Sequence, residues 1–175
     1  MENNLIIIPS RMESKRLPGK PLLDIEGTPM VIRVAKQAIK SNSGLVYIAC
    51  CDEEVYKTAQ NYGINVIMTN TDHSSGTDRI YEAFTMLNQK NVDFIMNVQG
   101  DEPEIDIDDI KSLYNKVKVH RSQIGTLAAK ISNLNIYDNE NIVKVKIKEV
   151  CFPGMFSCPG QRRPIEGCFV QTLLE

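Results

Sequence analysis

Four short apolar runs punctuate the first hundred residues, and the stretches that follow them carry apolar side chains at helical spacing. The runs are Leu5–Ile8, Leu45–Cys51, Ile64–Met68 and Asp93–Val98. Each is too short for a membrane span and nearly continuous rather than alternating, which predicts strands buried on both faces. After the first, Met30, Val31, Val34, Ala35, Ala38 and Ile39 recur at helical spacing behind Thr28-Pro29, a cap residue followed by a first-turn proline. After the second, Asp52 is placed to cap a helix through Tyr62, with Gly63 as its stop. A third helix is predicted from about Thr77 to Leu87, with Ile80, Ala83, Phe84 and Leu87 inward, and a fourth over Ile107 to Val117. Ile124 to Ile131 and Ile142 to Ile147 read as two further strands, the second with lysines that suit an edge. Such alternation implies right-handed βαβ units. The expected fold is therefore α/β, a three-layer, Rossmann-like, mostly parallel sheet with helices on both faces.

The chain has 175 residues, enough for one domain with a sizeable core. A net charge of −2 gives no general attraction to nucleic acid or to an anionic membrane, so neither partner is expected and any basic site must be local. No apolar run approaches the ~18 residues of a membrane span, and MENNLIIIP lacks the pattern of a secretory signal, so the expected compartment is the cytoplasm. Five cysteines, Cys50, Cys51, Cys151, Cys158 and Cys168, fall in no zinc-like pairing. Cys50 and Cys51, at a strand end, read as small core residues.

Three loops follow strand ends on what the alternation predicts is one edge of the sheet, which is where open α/β sheets place ligands. The first, beyond Pro9, which is read as the stop of its strand, carries Arg11, Lys15, Arg16, Gly19 and Lys20; the second runs from Thr69 to Arg79; the third carries Gln99, Gly100, Asp101 and Glu102. Basic side chains with a glycine suit phosphate oxygens, which need fixed cations and close backbone N–H groups. A solvated basic loop is the plainer alternative. Gly19-Lys20 is followed by Pro21, so the loop is not a Walker sequence. Asp101, after a strand and a glycine, suits either a divalent cation or the cap of the next helix, and the pattern leaves both open. His73 has the chemistry of an acid or base, but a lone histidine in a polar loop reads first as solvated and is not expected to be catalytic. Thr77 and Asp78 suit a first helical turn, whereas Arg79 opposes the helix dipole there, which points it toward an anion.

In order and spacing, IIIPSRMESKRLPGKPL, TDHSSGTDRI and NVQGDEP resemble the 3-deoxy-manno-octulosonate cytidylyltransferase family, also called CMP-KDO synthetase, over about Asn4 to Ile147. The resemblance implies a fold of the nucleotide-diphospho-sugar transferase type. It also implies a magnesium-dependent transfer of CMP from CTP to the sugar acid KDO, with release of pyrophosphate, for lipopolysaccharide biosynthesis. By the same resemblance Arg11, Arg16 and Lys20 are expected at the CTP phosphates, with Arg11, Lys20 and Asp101 the catalytic set. Ser75 and Gly76 are expected near the nucleotide, Arg79 and Gln99 at KDO, and Asp101 on Mg2+. CMP-sialate synthetases share a looser version of the first motif.

Beyond Lys148 the texture changes. Family members continue with a second half that holds further sugar contacts, a second metal-binding aspartate and the contact region of a homodimer, whereas residues 149–175 match none of it. Two domains are therefore expected, a nucleotidyltransferase part over 1–148 and an aberrant or weakly structured tail over 149–175, read as frameshifted. Three readings stay open: the named enzyme, a non-catalytic nucleotide-binding remnant of it, or a CMP-sialate synthetase relative.

Overall fold

The elements in chain order are β1 (Asn4–Ser10), a 3-10 turn (Lys20–Leu22), β2 (Asp24–Ile25), β3 (Thr28–Pro29), α1 (Met30–Ser41), β4 (Leu45–Cys50), α2 (Glu53–Asn61), β5 (Asn65–Met68), α3 (Gly76–Leu87), β6 (Phe94–Asn97), α4 (Ile107–His120) and β7 (Leu173–Leu174). The computed structural model describes residues 3–13, 17–120, 124–128 and 173–174. The chain divides into two units, Met1–Gly125 with Gln171–Glu175, and Thr126–Val170. All the elements named belong to the first.

β1 takes the middle of the sheet because it is the most completely apolar run: Leu5, Ile6, Ile7 and Ile8 are each at most 1% exposed. It pairs in parallel with β4 on one side, from Leu5↔Leu45 to Ser10↔Cys50, and with β6 on the other, from Asn4↔Phe94 to Ile7↔Asn97. β5 adds in parallel outside β4, and β7 pairs antiparallel with β6, giving the order β5-β4-β1-β6-β7. Alternation along β1 sends side chains to opposite faces. Leu5 and Ile7 join Ile80 and Ala83 of α3 in one cluster, with Phe84 and Leu87 packed against it. Ile8 approaches Val31 of α1 beside Gly100, and α4 packs next to α1, so helices lie on both faces as expected.

Several local expectations are corrected. Pro9 does not stop β1, which continues to Ser10. Its backbone faces the β6 side, with Pro9 O close to Gly100, and that ladder ends at Asn97, so no strand bond is lost to the missing N–H. Thr28-Pro29 is not the first turn of a helix. It pairs with Asp24–Ile25 as a hairpin whose central residues, Glu26 and Gly27, both have positive φ (51° and 78°), the requirement of a two-residue type I′ turn. Arg33 of α1 then fastens the hairpin by donating to Ile25 O and to the Glu26 carboxylate. α3 begins at Gly76, one residue before the expected Thr77, because Ser75 is the cap.

The predicted strand over Ile124 to Ile131 is not seen in its described part: residues 124–128 join no ladder, and Ile124 is 67% exposed. The remainder of that segment, the predicted strand Ile142 to Ile147 and the boundary at 148 lie outside the described residues, as do Cys151, Cys158 and Cys168.

Candidate functional site

From β1 the chain steps outward to β4 and β5 on one side and then returns to place β6 on the other. The carboxyl ends of β1 and β6 therefore flank the point where the sheet order reverses, the place where open α/β sheets hold ligands. A cleft of 810 Å³ opens there. Three segments line it: Pro9, Ser10, Arg11 and Glu13, then Leu17, Lys20 and Pro21, from the chain after β1; His73, Ser75, Gly76 and Arg79, from the chain after β5; and Gln99, Gly100 and Asp101, after β6. Of the residues expected at the site, Arg11, Lys20, Ser75, Gly76, Arg79, Gln99 and Asp101 come together in this one cleft. Arg16 lies outside the described residues.

The basic loop is held at both ends. Gly19 takes a positive φ of 74°, and its N–H donates to Met12 O at 3.0 Å, closing the loop on itself. Met12 N–H donates to Asp52 Oδ2 at 2.8 Å. Asp52 stands at the N-cap of α2 as expected, yet its side chain makes no capping bond; the carboxylate serves the basic loop instead. This tie was invisible in the sequence, where Asp52 read as a purely local cap. The third loop is pressed close by Gly100, where a Cβ would lie 2.9 Å from Pro9 O. Gly76 likewise sits against the Pro9 ring.

Lys20 Nζ and Asp101 Oδ2 meet at 2.6 Å across 81 residues of chain. Arg11 is exposed in the cleft wall. Glu102, next to Asp101, has its carboxyl pushed up to about 7 by burial and then by the charge of Asp101. Burial thus disfavours the charged form of Glu102, and Asp101, paired with Lys20, is the carboxylate the third loop presents to the cleft. Among the described residues no cluster of three or more His, Cys, Asp or Glu side chains forms a cage for a metal. Asp101 at the mouth instead fits a cation completed by non-protein oxygens and water, the way magnesium is usually held.

The second loop is fixed from α3. Ser75 accepts from Asp78 N–H at 3.1 Å, capping the helix, and its hydroxyl donates to the Asp78 carboxylate at 2.7 Å. Those bonds, with Ser74, hold the Asp78 carboxyl below its ordinary range. Arg79 is 3% exposed, and its Nη1 donates to Thr69 Oγ1 at 2.5 Å and to Asn70 O at 3.1 Å. Its guanidinium therefore holds the loop as well as lining the cleft. Gln99 donates to Asn97 Oδ1 at 3.1 Å, which orients its amide at the end of β6. His73 contradicts the reading of a solvated side chain: it lines the cleft, and its Nε2 meets Glu82 Oε2 at 2.5 Å. Cys50 is buried, with its thiol pushed up to about 12 by desolvation, in keeping with a packing role.

No helix among the described residues is long and apolar enough to cross a membrane. The sequence profile of the family described as Cytidylyltransferase matches residues 5–150. Among curated relatives, the 3-deoxy-manno-octulosonate cytidylyltransferase of Francisella philomiragia is 42% identical over 146 residues, covering 83% of this chain and 58% of the relative. That of Paramagnetospirillum magneticum is 38% identical over 144 residues, covering 82% and 58%. A solved structure of CMP:2-keto-3-deoxy-manno-octonic acid synthetase complexed with CTP superposes with a TM-score of 0.83 at 31% identity, covering 99% of this chain and 74% of that one. A 4-diphosphocytidyl-2C-methyl-D-erythritol synthase, at 12% identity and a TM-score of 0.69, shares the fold. The chain spans about 58% of the length of the curated relatives it matches, and over that span it belongs to the cytidylyltransferase family.

Proposed function

We propose that this chain carries the nucleotide-transfer site of a 3-deoxy-manno-octulosonate cytidylyltransferase, moving CMP from CTP to the anomeric hydroxyl of KDO with release of pyrophosphate. The observation that carries the reading is the meeting of Arg11 and Lys20 with Asp101, Arg79 and Gln99 in one cleft at the β1/β6 switch point. The name and CTP complex of the structurally similar synthetase give it further support.

In this reading Arg11 and Lys20 bind the triphosphate, with Arg16 of the same loop as a helper, and Ser75 and Gly76 lie against the nucleotide. Attack at the α-phosphorus builds charge on the phosphoryl oxygens and on departing pyrophosphate, so cations whose contacts tighten in the transition state accelerate it. Asp101 would hold a magnesium ion, which supplies charge neutralisation at the phosphates. Arg79 and Gln99 orient the sugar acid; the planar fork of an arginine matches a carboxylate. Lys20, Arg11 and Asp101 are the catalytic set. The site acts on small molecules in the cytoplasm, in the route to lipopolysaccharide.

The test is pyrophosphate release from CTP, magnesium and KDO. Turnover that is lost in Asp101→Ala supports the reading. CTP binding without turnover would make the chain a nucleotide-binding remnant, and turnover with a sialic acid in place of KDO would assign the sialate branch.

A further inference from the structure

We infer that His73, held by Glu82, is the general base that takes the proton of the attacking sugar hydroxyl; the inference rests on the transfer reaction proposed above. Three observations point to it. His73 lies in the wall of the same cleft as Lys20 and Asp101. Its Nε2 faces Glu82 Oε2 at 2.5 Å, and a carboxylate only accepts, so the neutral ring carries its proton on Nε2 and leaves Nδ1 as a bare acceptor. Among the described residues, no other bond to the imidazole occupies that nitrogen.

Glu82 is itself fixed. Its Oε2 also accepts from Asn70 N–H at 2.9 Å, while Asn70 O accepts from Arg79. Two side chains one turn apart on α3 thus grip one peptide unit on each side of Asn70 and set the loop that carries His73. A base in a cleft, oriented by a carboxylate behind it, is the arrangement that general-base catalysis requires. The other carboxylates of the cleft suit the role less well. Asp101 is tied to Lys20, and Glu13 is exposed on the basic loop with no bond among the described residues that aims it.

The step balances as follows. The sugar hydroxyl oxygen forms a bond to the α-phosphorus as its proton passes to His73 Nδ1. The bond from that phosphorus to the bridging oxygen breaks, and its electron pair leaves with pyrophosphate. The imidazolium so formed is stabilised by the Glu82 carboxylate and returns its proton to solvent. Glu82 touches no reacting atom and is a positioning residue.

The test measures CTP affinity by calorimetry and steady-state turnover with CTP, magnesium and KDO, on the full chain and on His73→Ala, His73→Gln and Glu82→Gln. General bases contribute about 10²- to 10⁴-fold, so kcat of both His73 variants falls by about 100-fold or more while CTP affinity stays within about twofold. Added imidazole restores a measurable part of the loss in His73→Ala, a response that a merely structural role does not give. Glu82→Gln lowers kcat with little change in the KM for CTP. Full kcat in His73→Gln, or a loss in His73→Ala that imidazole leaves unchanged, overturns the inference. If the unmodified chain binds CTP without turning over, the base has no step to serve and the inference falls. If it does not bind CTP, the proposed function falls first.

Discussion

Lys20 and Asp101 neutralise each other at 2.6 Å in the mouth of the cleft, yet each is proposed to serve a different ligand. A polyphosphate that recruits Lys20 must displace a carboxylate and then sit beside it; a divalent cation that recruits Asp101 must displace an ammonium. Bound together, the two ligands take one partner each. Asp101→Asn therefore frees Lys20, and affinity for pyrophosphate in the presence of EDTA rises. Half-exposed pairs of this kind are worth ~0.5–1 kcal/mol, so the gain is about two- to fivefold by calorimetry. An unchanged or weaker affinity would show that Lys20 is not held back by the pair.

Gly100 is a spacer between β1 and the third loop. A methyl group there meets Pro9 O at 2.9 Å, a backbone atom that cannot swing aside, with side-chain methyls of Ile8 and Val31 next nearest at 3.5 and 3.9 Å. Gly100→Ala is expected to lower stability by roughly 1–3 kcal/mol, the usual cost of overpacking, as read by chemical denaturation. It also shifts Asp101 relative to Lys20, so CTP affinity falls along with stability. Gly27→Ala, where nothing lies within 4 Å, is the contrast: it strains the type I′ turn at φ 78° without touching the cleft, and CTP affinity is retained.

The frame of the molecule was legible because its cause is local. Leu5–Ile8 is apolar on every residue, so it is buried wherever it lies, and α1 and α3 show their inward faces in their own spacing. What failed were the polar choices made between distant segments. Thr28 looks like a cap until Asp24–Ile25 is seen to pair with it, and Asp52 looks like one until Met12 arrives 40 residues away in sequence. The cleft followed the same rule. The three loops were found as a set because strand ends on one edge converge, but neither the Lys20–Asp101 pair nor the seat of His73 on Glu82 has any signature in spacing.

Asp52→Ala tests one of those ties. Removing the carboxylate leaves Met12 N–H without its acceptor, at a cost of ~1 kcal/mol for a partly buried bond. The basic loop then loosens between Arg11 and Lys20. Amide exchange at Met12 should quicken by about fivefold to tenfold, and CTP affinity should weaken although Asp52 does not line the cleft. Protection unchanged at Met12 would mean that the Gly19–Met12 bond alone holds the loop.

Acid should release the second loop. The Glu82 carboxyl is held below its ordinary value of 4.5, first by the bond from His73 and then by Asn70 N–H, so the folded state binds this proton less readily than the unfolded chain does. The stability it contributes is therefore complete above pH 4.5 and is lost as pH falls through the lower folded value. Glu82→Gln removes that linkage: its stability is lower than that of the parent near neutrality, and the two curves draw together as pH falls below 4.5 through the lowered folded value. The convergence is not a flattening to zero slope, because Asp78 is also held low, by Ser75 and Ser74, and remains in the variant. Denaturant midpoints of the two proteins between pH 3 and pH 7 give the difference directly. Parallel curves across that range would mean that the His73–Glu82 contact contributes nothing to the fold, and that its place in the cleft wall must be explained by chemistry alone.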